Sequence, residues 1–200
     1  PDLYEAELRD LVETSTDEVR RLDHIVDQFL KAIRPSKPQL EQTDINELIK
    51  ESMRFLEPEI KDRGLNLTLE LRSALPALEL DPDQIKQAFY NIVKNSIQAT
   101  PESGKITVKT DLSDNHILVT FNDTGEGISA ENLSTVFQPY FTTKKSGTGL
   151  GLLIIRRIIR EHGGDIKISS EEGFGTSVCI SLPRQQRNVR LLPLEQKNKD

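Results

Sequence analysis

Cysteine is almost absent: Cys179 stands alone among 200 residues. That excludes an internal disulfide framework and a cysteine-rich zinc cluster, and it suits a reducing compartment. Cys179 alternates with Val178 and Ile180, so it is expected to be a small buried strand residue. No apolar run approaches the roughly 18 residues that a membrane span needs, and no signal-peptide pattern is visible. The expectation is a cytoplasmic chain whose parent protein can still be membrane-anchored. Basic charge is in deficit. The 26 Lys and Arg against 32 Asp and Glu leave a net charge of −6, which disfavours a nucleic-acid partner. No initiator methionine precedes Pro1, and the chain opens mid-pattern, so it is expected to be a piece of something longer.

What is present is a globular composition, with 36% hydrophobic and 29% charged residues. Residues 3–34 carry apolar side chains at Leu8, Val12, Val19, Leu22, Val26, Phe29 and Ile33, with Ser15 in the one gap. Steps alternating between four and three residues make a heptad seam. Such a helix needs a partner, which points to a homodimer or to a missing neighbouring helix. Pro35 and Pro38 end it, so the domains are predicted as 1–38, 39–183 and a loose polar tail over 184–200. Arg184, Arg187 and Arg190 read as part of that solvated tail.

The middle domain alternates helices and strands. Asp44 and Glu47 form a capping box for a helix that Gly64 stops near Arg63. "LNLTLEL" (residues 65–71) has strand period two, and "LEL" (residues 78–80) suggests a short strand. Asp81 and Pro82 open a helix that runs to about Thr100. "KITVKTDL" and "HILVTFND" make a hairpin turning at Ser113 to Asn115. A segment of little periodicity, 124–148, precedes a helix over 150–162 and the strands "DIKISS" and "TSVCISLP". The fold class predicted is a two-layer α/β sandwich preceded by a long heptad-patterned helix.

Five short stretches carry the chemistry. In "GTGLG" the glycines at Gly147, Gly149 and Gly151 precede a helix start, where backbone N–H groups and the helix dipole suit an anion. Lys144 and Lys145 stand close enough in sequence to reach phosphate oxygens, although a flexible hinge would look the same. In "NIVKN" Asn91 and Asn95 share one helix face. Their amide oxygens are hard donors of the kind magnesium accepts, or they simply face solvent. In "FNDTGEGI" Asp123 ends a strand beside Gly125 and Gly127. It is placed to accept from an exocyclic amine, or it belongs to an ordinary D-x-G turn. "VFQPYFTT" is an aromatic patch, and "GFGT" is a glycine turn leading into Thr176.

In order and spacing these stretches resemble the ATP-binding domain of sensor histidine kinases, in the wider group that includes gyrase B, Hsp90 and MutL. "NIVKN" resembles the N box, "DTGEGI", "GTGLGL" and "GFGT" the three glycine boxes, and "FQPYF" the F box. The likeness covers about residues 39–183. Residues 3–38 resemble the second helix of the dimerisation and phosphotransfer hairpin, and "PYFTTKKSGTGLGL" resembles kinases of the nitrogen-regulation type. The resemblance implies a Bergerat-type mixed sheet packed on helices, with ATP and Mg2+ as ligands. It implies Asn95 and Asn91 at the metal and phosphates, and Asp123 on the adenine amine with Thr176 in support. It also implies Gly125, Gly127 and Ile128 around the base, and Lys144, Gly147, Thr148, Gly149, Leu150 and Gly151 at the phosphates. Residues 129–146 become a lid over the nucleotide, and the implied partner is a response-regulator receiver domain.

One departure bears on mechanism. ATP-hydrolysing members of the group carry glutamate where Asn91 stands, and an amide cannot act as a base. Transfer to a bound histidine is therefore favoured over hydrolysis. None of His24, His116 and His162 matches the acceptor motif. They are expected to be solvated or structural, with His162 a cation at a helix end, and the acceptor lies on a hairpin helix absent from this chain. The alternatives are a non-catalytic ATP-sensing dimerisation module and a gyrase- or MutL-like ATPase.

Overall fold

The computed structural model describes residues 11, 12, 15, 16, 19, 37–142 and 148–184. Most of the predicted 3–34 helix, including His24, and the tail after Arg184 lie outside the described residues. Leu11, Val12, Ser15, Thr16 and Val19 are helical and exposed.

The two 18-residue helices begin where their capping aspartates predict. The Asp44 side chain accepts from the backbone N–H groups of Asn46 (2.8 Å) and Glu47 (3.3 Å), opening α1 (Ile45–Asp62). Only half of the capping box forms, because Glu47 pairs with Lys50 at 2.7 Å. Gly64, at φ 64, terminates the helix. Pro58 sits inside α1 but is exposed, so water can reach the carbonyl it leaves unbonded. Asp81 caps α2 (Pro82–Ala99) through Asp83 and Gln84, both at 3.1 Å, and Pro82 occupies its first turn. The other Asp81 oxygen accepts from the Gln39 N–H at 2.8 Å, which fastens the start of this domain to the cap. A four-residue helix, α3 (Ala130–Leu133), falls in the stretch without periodicity, and α4 spans Gly151–Glu161.

The strands are β1 (Glu41–Thr43), β2 (Asn66–Glu70), β3 (Leu78–Leu80), β4 (Lys105–Ser113), β5 (His116–Asp123), β6 (Asp165–Glu171) and β7 (Gly175–Pro183). The main sheet runs β2-β4-β5-β7-β6, parallel between β2 and β4 and antiparallel elsewhere. This is the two-layer α/β sandwich expected, with a mixed sheet. β1 pairs antiparallel with β3 in a separate small sheet. Its three residues, EQT, carry no period-two signal, so it was not predicted.

One sheet face is buried. Ile106, Val108, Ile117, Val119, Phe121, Val178, Ile180 and Leu182 point inward against Ile49, Met53, Phe89, Val93, Ile155 and Ile159 of the three long helices. Cys179 corrects the sequence expectation. Val178 and Ile180 point into the core, so the pleat turns Cys179 to the uncovered face, where it is half-buried across from Lys167 and Thr120.

His162 also departs from expectation. It is buried at the end of α4, and its Nε2 accepts the Asp81 backbone N–H at 3.0 Å. An accepting nitrogen carries no proton, so the ring hydrogen sits on Nδ1 and donates to the Ile158 carbonyl at 2.7 Å. The ring is therefore a neutral clamp from the end of α4 to the start of α2, not a cation for the helix dipole. His162→Ala should strand a buried N–H and open a cavity, lowering unfolding free energy by about 2–4 kcal/mol in urea titration.

Candidate functional site

The inward alternation of β5 continues past the apolar residues. Ile117, Val119 and Phe121 face the helices, so Asp123, two further on, does too, and its carboxylate is buried at the sheet's end. A buried carboxylate needs donors. Oδ1 accepts from the backbone N–H groups of Gly125 at 3.0 Å and Thr176 at 3.1 Å. Oδ2 accepts from the Ser96 hydroxyl at 2.8 Å. Three donors, from α2, the β5 turn and β7, hold the group as an acceptor-only anion. Oδ1 is filled, while Oδ2 keeps room for one more donor.

Ser96 was missed by the sequence reading. A small polar side chain between Val93 and Ile97, at a core position of α2, was the available signal. Asn95 precedes it and Asn91 lies one turn earlier; both are half-buried and border the same cavity as Asp123. Lys94 borders it as well. Its ammonium meets Glu59 at 2.6 Å and lies 5.5 Å from the centre of the Tyr90 ring. The hydrogen bond that Lys94 donates to Glu59 raises the Lys94 pKa above its ordinary value despite partial desolvation.

The cavity has a volume of about 780 Å³, within the range of small-molecule sites. Of the residues singled out in the sequence, Asn91, Asn95, Asp123, Gly127, Ile128, Thr148, Gly149, Gly151 and Thr176 line it. Gly125 stands behind Asp123 as a donor and not as a wall. Leu150 is a correction: it is 1% exposed and packs in the hydrophobic core, anchoring the start of α4. Lys144 and Gly147 lie outside the described residues.

Two glycines are required by close backbone approach. Gly127, at φ 72, lies against the Glu171 carbonyl, so a β-carbon there would collide with the β6–β7 turn. Gly149, at φ 66, lies against the backbone of Tyr140 and Phe141, which brings the chain before residue 143 beside the chain after residue 147. Val136 is buried, and Phe137 stacks 5.1 Å beneath the Arg156 guanidinium, tying the loop after α3 to α4.

The arrangement can hold a flat, amine-bearing group at Asp123 and an anionic group near the asparagines. Residues 80–186 match the family described as histidine kinase-, DNA gyrase B-, and HSP90-like ATPase. The chain belongs to that family. The sensor histidine kinase ZraS of Escherichia coli (strain K12) is 34% identical over 177 residues, covering 88% of this chain and 38% of ZraS. The catalytic domain of histidine kinase ThkA is 35% identical with a TM-score of 0.67, over 73% of this chain and 96% of that domain. ThkA in complex with the response regulator protein TrrA aligns at 30% identity and TM-score 0.75, over 89% of this chain and 52% of ThkA. The chain thus spans under two fifths of the curated kinase it matches.

Membership in this family supports the use of ATP, and the cavity bordered by Asp123 and the two asparagines is the candidate site for it. Gly151 offers a direct check, since a β-carbon there meets nothing within 4 Å and would project into unfilled space at the first position of α4. Gly151→Ala should leave the fold intact, or stabilise it by up to about 1 kcal/mol through helix propensity. The same change should weaken ATP binding at least about tenfold in calorimetry. Loss of both folding and binding would place the glycine's role in the fold instead.

Proposed function

We propose that the chain is the ATP-binding catalytic part of a two-component sensor histidine kinase. It donates the γ-phosphoryl of ATP to a histidine on a hairpin helix outside this sequence, for onward transfer to a response-regulator aspartate. The observation that carries this reading is that Asp123 and the pair Asn91 and Asn95 open onto one cavity. Ser96 and Asn91 are five residues apart on α2, or about 7.5 Å along its axis. The helix therefore spaces a base end from a phosphate end.

In this reading Asp123 accepts from the adenine amine, with the Thr176 hydroxyl in support. Gly127 and Ile128 shape the base pocket, with Gly125 behind it as a donor to Asp123, while Thr148, Gly149 and Gly151, with Lys144 and Gly147, receive the phosphates. Among the described residues no cluster of three His, Cys, Asp or Glu could hold a metal. A magnesium ion would thus take few protein oxygens, from Asn95 and Asn91, and complete its shell with phosphates and water, as it prefers. Bound there, it would supply neutralisation of phosphate charge.

Transfer breaks the bond from the γ-phosphorus to the β–γ bridging oxygen, which leaves on ADP. The acceptor imidazole nitrogen forms the new N–P bond with its own lone pair. Such chemistry asks mainly for positioning and charge neutralisation, so an amide at residue 91 suffices. A helix over residues 3–34 would serve as the second helix of the hairpin and as the homodimer contact. The response regulator as partner is supported by the ThkA–TrrA complex. No helix among the described residues is long and apolar enough to cross a membrane.

The test mixes the chain with γ-labelled ATP, magnesium and a partner bearing the missing helix. Acid-labile label on a histidine of the partner is expected, and Asn95→Ala should reduce it at least about a hundredfold. A chain restored to full length that binds ATP but never labels would overturn the kinase reading. Steady hydrolysis by the chain alone, abolished in Asn95→Ala, would instead favour an ATPase.

A further inference from the structure

Ser170 on β6 stands behind the base end of the cavity and has three partners. The Ile128 backbone N–H donates to its Oγ at 2.8 Å, its Oγ donates to the Gly175 carbonyl at 2.8 Å, and its Oγ lies 2.9 Å from the Thr176 Oγ1. A hydroxyl has one hydrogen and two lone pairs. A carbonyl can only accept, so the single Ser170 hydrogen is spent on Gly175. The contact with Thr176 then has one solution: Thr176 donates to Ser170. The Thr176 hydroxyl, which borders the cavity, is left with lone pairs only to offer a ligand.

Asp123 beside it is also acceptor-only. Its Oδ1 is filled by the N–H groups of Gly125 and Thr176, and its Oδ2 is held by Ser96. We infer that Ser170 is a specificity-determining positioning residue. By orienting the Thr176 hydroxyl it makes the base end of the cavity acceptor-only, so that a 6-aminopurine nucleotide is taken and a 6-oxopurine nucleotide is refused. The discrimination is at the exocyclic position: a 6-amino group has two hydrogens, one for Asp123 Oδ2 and one for the Thr176 hydroxyl, whereas a 6-oxo oxygen there sets lone pairs against both, and a mismatched polar pair away from water is disfavoured. The inference rests on the adenine-site reading proposed above and adds to it the group that sets its polarity. Ile128 ties the same hydroxyl to the turn after β5, so base reading and the start of that loop share one atom.

Calorimetry of the whole chain with magnesium and either ATP or inosine triphosphate tests this. The wild type should prefer ATP. In Ser170→Ala the Thr176 hydroxyl can turn its hydrogen toward the ligand. The ratio of inosine triphosphate Kd to ATP Kd should then fall about fivefold or more, with inosine triphosphate binding more tightly in absolute terms. A purely structural role would weaken both nucleotides alike and leave the ratio unchanged. Thr176→Val should also lower the ratio, and adding Ser170→Ala to it should produce no further fall. Should Ser170→Ala fail to fold, Thr176→Val alone decides, because an unchanged ratio there overturns the inference. ATP binding with an unaltered ratio in the variants overturns it while leaving the ATP site standing. Failure of the wild type to bind either nucleotide removes the adenine-site reading and this inference together.

Discussion

The buried carboxylate of Asp123 is the constraint on which the site depends. An anion at the end of an inward-facing strand register would be intolerable without partners, and its donors come from three separate parts of the chain. Ser96 brings α2, Gly125 brings the turn after β5, and the Thr176 N–H brings β7. Satisfying one group therefore fixes the relative positions of the helix that carries the asparagines, the loop that walls the cavity and the strand that closes it.

The same economy appears one shell outward. Ser170 saturates its hydroxyl on Ile128, Gly175 and Thr176, while His162 saturates its ring on Asp81 and Ile158. Each is a small neutral group joining distant backbone segments, and each has its hydrogen direction dictated by a partner that can only accept or only donate. The polar network therefore has a single consistent orientation, and the cavity is lined by lone pairs at Asp123 and Thr176 and by amides at Asn91 and Asn95. The apolar layer beneath, between the helices and the inner sheet face, holds these elements at fixed spacing.

Membership in the histidine kinase-, gyrase B- and HSP90-like ATPase family accounts for the architecture and for the nucleotide. It does not by itself separate transfer from hydrolysis. In the proposed reading that separation turns on residue 91, where an amide borders the cavity.

The sequence by itself determined the elements that rest on local physics. Asp44 and Asp81 announced helix starts, Gly64 a helix end, and period two the hairpin strands, because caps and pleats are decided within a few residues. Its ordered motifs also named residues that the fold brings to one cavity, among them Asn91, Asn95, Asp123, Gly127, Gly151 and Thr176. Tertiary structure alone decided β1, which exists only because β3 offers a free edge, and Leu150, whose place in a phosphate-binding motif hid a core anchor. It decided the outward turn of Cys179, the neutral clamp at His162 and the roles of Ser96 and Ser170. Each of those depends on which distant group lies across a hydrogen bond or a packed layer, and pairwise distance is information that a linear pattern does not contain.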